Sequence, residues 1–109
     1  MVGNSKLSKA EGTNIYCIYY RNLEYTQLKD YKNFCFNASE SELDYLYDTL
    51  MQPLLEKDKS KKSITVGEVT LNFSKVSSSI SVYVDNPIGE TDAWMGYLSK
   101  KQLTRLFGK

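Results

Sequence analysis

The sequence predicts an α+β domain: a mostly antiparallel sheet of about five strands with two helices, in the order β-β-α-β-β-β-α. Three observations carry this. Short segments in which apolar and aromatic residues dominate or alternate with polar ones recur between residues 14 and 98, the signature of strands. Residues 39–56 instead repeat apolar side chains at helical spacing. Two serines, Ser39 and Ser99, stand three residues ahead of Glu42 and Gln102, the reciprocal pairing that opens a helix.

Residues 1–13 mix glycine, serine and charge without periodicity and are expected to form a loose leader, so that 14–109 makes up one α+β domain. Residues 14–20 (NIYCIYY) are apolar or aromatic almost throughout, which predicts a central strand covered on both faces. Residues 31–37 (YKNFCFN) form a second strand antiparallel to it. The first helix follows. Leu43, Leu46, Tyr47, Leu50, Met51, Leu54 and Leu55 fall on one stripe, and Pro53 predicts a kink or an end near Gln52.

Residues 56–63 read as a solvated, charged loop. Alternation over 64–73 slips phase at Gly67 and Glu68, which predicts a β-bulge. Residues 76–79 are a turn, and Ile80, Val82 and Val84 alternate cleanly as a half-buried strand. Asn86, Pro87, Ile88 and Gly89 are turn chemistry. Residues 91–98 form the last strand, with Trp94 and Leu98 on one face and Ala93, Met95 and Tyr97 on the other. Ser99 caps the final helix, Leu103, Leu106 and Phe107 face inward, and Gly108 stops it.

The residues exclude much chemistry. There is no histidine among 109 residues, so the commonest general base and metal ligand is missing. No phosphate loop, dinucleotide fingerprint or nucleophile elbow occurs, and nothing basic is placed to activate Ser77, Ser78 or Ser79. We therefore expect no enzyme, no cofactor and no metal. Cys17 and Cys35 sit in apolar strands without redox spacing; two reduced thiols are the expected state, and a bridge between neighbouring strands is the alternative. No apolar run has the length of a membrane span and no signal peptide is evident, so the cytoplasm is the expected compartment.

A net charge of +1 argues against a chain that lives on nucleic acid or anionic lipid. The charge is zoned, however. Glu40, Glu42, Asp44, Asp48, Glu56 and Asp58 face a single lysine over residues 39–58, whereas Lys59, Lys61 and Lys62 form a basic run and Lys100, Lys101, Arg105 and Lys109 another. Glu40, Asp44 and Asp48 recur every fourth residue on the polar face of the first helix. A solvated helix surface explains them, and so does an electrostatic face for a basic protein partner. Nine tyrosines add contact area, with Tyr45 placed beside the carboxylates.

The closing stretch, Trp94-Met95-Gly96-Tyr97-Leu98 running directly into Ser99-Lys100-Lys101-Gln102-Leu103, resembles bacterial immunity proteins that neutralise polymorphic toxins, including those of contact-dependent inhibition. The resemblance covers the last half of the chain and lies in architecture, so no functional residue is carried over. It implies a non-enzymatic inhibitor that binds one cognate toxin, a basic nuclease domain, one-to-one. On that reading Glu40, Asp44, Asp48 and Tyr45 form the partner surface. Phage-encoded inhibitors of host defence systems, such as anti-CRISPR proteins, look similar at this level. A small RNA-binding domain is the third alternative, with Lys59, Lys61 and Lys62 as its edge and Tyr16, Tyr19, Tyr20 or Phe34 stacking bases.

Overall fold

A computed structural model describes residues 5–23, 31–85 and 93–109. The chain is α+β, with seven strands and two helices: β1 (Ser5–Lys9), β2 (Ile15–Arg21), β3 (Tyr31–Asn37), α1 (Glu40–Glu56), β4 (Lys62–Val66), β5 (Val69–Val76), β6 (Ser79–Asp85), β7 (Ala93–Ser99) and α2 (Lys100–Leu106). The strands form two antiparallel sheets, β1-β2-β3 and β4-β5-β6-β7. The turn expected at residues 86–89 lies outside the described residues.

Two strands beyond the expected five have simple origins. β1 falls inside the expected leader and pairs with β2 from Ser5 opposite Tyr20 to Lys9 opposite Tyr16. Its only large apolar side chain is Leu7, half-buried against the core, so backbone pairing rather than hydrophobic pattern creates it. The second is β4. The phase slip at Gly67 and Glu68 is not a bulge but a two-residue hairpin turn, with Val66 directly opposite Val69. Gly67 takes the left-handed φ of 62° that such a turn needs.

A bulge does occur, in β7. Tyr83 pairs with Trp94 and Val82 with Gly96, so Met95 is the extra residue, and Gly96 adopts φ 90°. The bulge exchanges two of the predicted positions: Ala93 and Met95 stay together but are joined in the core by Leu98, whereas Tyr97 shares the opposite face with Trp94. Gly96 suits this left-handed φ, and a Cβ there would also lie 2.5 Å from Leu23 Cδ1, so the leucine tip would have to move.

β2 is central in its sheet but covered on one face only. Tyr16, Ile18 and Tyr20 are buried, whereas Ile15 and Tyr19 are exposed. Cys17 and Cys35 point to that same uncovered side and are disulfide-bonded, not reduced as expected. The register places them directly opposite one another with Cα atoms 4.0 Å apart, close enough for their sulfurs to meet.

α1 runs through Pro53 to Glu56 instead of ending near Gln52. Proline removes one helical hydrogen bond, but here it sits in the last turn and is itself fully buried beside Leu50 and Leu54. The ladder closes one step later, where the Lys57 N–H donates to the Pro53 carbonyl. The inward stripe is as predicted through Leu54, but Leu55 points outward, 63% exposed.

One continuous core joins both sheets and both helices. α1 packs on β5 and β6, and α2 packs on β7 and reaches β1. The helices are tied together by the Tyr47 and Phe107 rings, 5.4 Å apart, and by a 3.0 Å hydrogen bond between the Tyr47 and Thr104 hydroxyls. The sheets meet where the Leu23 N–H donates to the Trp94 carbonyl and the Trp94 N–H donates to buried Asn22 Oδ1.

Candidate functional site

The outward face of α1 begins with its cap. Ser39 Oγ accepts from the Glu42 N–H and Glu42 Oε1 accepts from the Ser39 N–H, which holds the Glu42 carboxyl below the usual carboxylate range. Glu42 is therefore spent on folding. Beyond it, Glu40, Asp44, Tyr45 and Asp48 are all exposed. They do not act alike. Asp44 is paired with Lys109, whose ammonium also lies 5.4 Å over the Tyr47 ring. Hydrogen bonding to Asp44, with a smaller contribution from Asp48, raises the Lys109 pKa.

Tyr45 and Asp48 come together in a recess of about 380 Å3 that also involves Thr49, Gln52, Leu55 and Glu56. Tyr45 is 67% exposed and Leu55 63%, two large apolar groups held in water on a helix face ringed by carboxylates. Sequence reasoning missed Leu55 because it fits the inward stripe by spacing. Leu55 lies at the edge of that stripe in the last turn of α1, where its side chain is left uncovered.

The basic residues divide differently. Lys62 pairs with Asp58 at 3.1 Å. Asp58 also accepts from the Ser60 N–H, chiefly through which its pKa falls to about 2. Lys61 and Lys62 share a recess of about 350 Å3 with Ser63, Asn72, Ser74, Ser81 and Tyr83. Lys59, the first member of that run, is exposed but does not line it. Lys100 and Lys101 line a separate recess. The rings expected to stack bases are mostly unavailable, since Tyr16, Tyr20 and Phe34 are buried and only Tyr19 is exposed.

A different aromatic group stands on the four-stranded sheet. Trp94 stacks on Tyr83 at 6.1 Å and meets the edge of Tyr97 at 5.2 Å, with its indole N–H donating to Ser81 Oγ at 2.9 Å. Tyr83 and Tyr97 are 40% and 53% exposed. The β7 bulge builds this cluster, and a simple alternation count hides it.

Among the described residues no group of three or more His, Cys, Asp or Glu side chains could hold a metal ion, and no helix is long and apolar enough to cross a membrane. The chain matches no protein-family profile, no curated protein and no solved structure.

Proposed function

We propose that this chain is a non-enzymatic protein inhibitor that docks a basic partner through the outward face of α1. Glu40 and Asp48 supply charge, and Tyr45 and Leu55 supply desolvated contact area. The observation that carries this reading is the exposure of Tyr45 and Leu55 beside Asp48 and Glu56. Carboxylates around an apolar pair would steer a cationic surface into place and let the pair be buried on contact. Asp44 contributes less than its neighbours, because Lys109 already neutralises it. A toxin nuclease is the partner that the immunity-protein resemblance suggests, and a cytoplasmic defence complex is its phage-encoded counterpart.

The test is differential capture from the native lysate with two baits, the unaltered chain and a Tyr45→Ala/Leu55→Ala variant. One basic protein retained stoichiometrically by the first bait and lost with the second, and whose activity the chain suppresses, supports the reading. Equal retention by both baits contradicts it. The Cys17–Cys35 bond bears on the compartment, since cytosolic thiols are held reduced. Thiol alkylation on rapid isolation separates the cases: two labelled cysteines fit cytoplasmic action, and none fits an oxidising compartment.

A second reading, single-stranded RNA binding, is favoured by the Tyr83–Trp94–Tyr97 cluster beside Lys61 and Lys62. It requires salt-sensitive RNA binding that Tyr97→Ala weakens and Tyr45→Ala leaves unchanged.

A further inference from the structure

At the C-terminal end of α1 lies a recess of about 720 Å3 that gathers Lys57, Lys75, Lys100 and Lys101 with Ser77, Ser78 and Ser99. Leu54 forms the apolar part of its wall, and among the described residues no carboxylate lines it. The four lysines come from three separate places: the end of α1, the β5–β6 hairpin and the start of α2. A single basic run in the sequence cannot account for their convergence.

Three features bear on what these lysines could hold. Among the described residues none of the four has an ion-pair partner; Lys59 and Lys61 share that condition, but here four such cations line one recess. Four like charges around one recess repel each other, and the negative end of α1 and the Ser77 carbonyl offset that repulsion only in part. Second, Lys57 (φ 55°) and Ser77 (φ 58°) are the two non-glycine residues with left-handed backbone among the described residues, and both line this recess. Each has a local origin, Lys57 as the left-handed cap that ends α1 and Ser77 as the first residue of the two-residue β5–β6 turn, and together they fix the backbone from which two of the lining side chains project. Third, the Lys75 ammonium is anchored by the Ser77 carbonyl, so one cation is already positioned. α2 is too short for its own terminus to hold an anion; the lysine side chains must do so.

We propose that this recess is a binding site for a chain of linked phosphate groups, free or as the tail of a nucleotide. Several ammonium groups converging with serine hydroxyls match a compact, multiply charged oxyanion, and the absence of a carboxylate from the lining removes competition for the cations. The site shares no exposed side chain with the α1 docking face, so either can fail without the other.

Calorimetric titration with inorganic tripolyphosphate at moderate ionic strength tests it. The expected result is saturable one-to-one binding that Lys75→Ala/Lys100→Ala weakens at least about tenfold and Lys59→Ala/Lys61→Ala leaves unchanged. ATP binding more tightly than tripolyphosphate would assign a nucleotide tail, and equal binding the phosphate chain alone. Amide shifts in unaltered protein, confined to Ser77, Ser78 and Ser99 and their neighbours, keep the test decisive if the double variant misfolds. Non-saturating binding, equal loss in both double variants, or displacement by a single-stranded oligonucleotide of equal charge would overturn the proposal.

Discussion

α1 and α2 open with the same device and opposite charge. Ser39 with Glu42, and Ser99 with Gln102, form capping boxes with matching hydrogen bonds of 3.0 and 3.2 Å. The first turn of α1 then carries Glu40 and Glu42, which complement the helix dipole, whereas α2 begins with Lys100 and Lys101, which oppose it. The cap starts the helix in both cases. The surrounding charge is a separate choice, and only in α1 does it serve the helix. In α2 it serves the lysine recess, at a cost in local stability.

Removing the core beneath α2 should break this comparison most severely. Leu103 is fully buried, so Leu103→Ala is expected to cost about 2–5 kcal/mol in chemical denaturation and to scatter the recess lysines with it. Reducing the Cys17–Cys35 bond, which spans 18 residues in the other sheet, should cost about 3 kcal/mol while leaving both helices' caps alike. Ser39→Ala and Ser99→Ala should each cost about 0.5–2 kcal/mol, and similar losses would show that the caps are equivalent.

Lys100→Glu should run the other way. It relieves the conflict with the α2 dipole and should stabilise the chain by about 0.3–1 kcal/mol while abolishing tripolyphosphate binding. The gentlest test is acid. Glu42 has a lowered pKa in the folded chain, so its contribution is present above its unfolded value of 4.5 and is lost as pH falls through the folded value. Gln102 does not titrate. Amide exchange at the first turn of α1 should therefore rise, as pH falls below 4.5, before that of α2 does.

Both caps, the core faces of β5 and β6 and most of the α1 stripe were legible because each is a local pattern with one period. What escaped reading depended on pairing. β1 holds one large apolar residue and exists through its partner strand. The Val66–Val69 hairpin and the β7 bulge produce the same kind of phase slip in sequence, and only register tells them apart. The candidate faces were half legible for the same reason. Periodicity grouped Glu40, Asp44 and Asp48, but the Asp44–Lys109 contact arises from the path of the chain near its end, and Leu55 stays outside because the core beneath α1 does not reach the edge of its stripe.

The α1 docking face is tested most directly by placing a photo-crosslinking amino acid at position 45, or at position 97 on the four-stranded sheet, and irradiating in native lysate. The account predicts one covalent adduct with a basic protein from position 45 and none from position 97. An adduct from position 97 alone, or RNA crosslinked there, would contradict it.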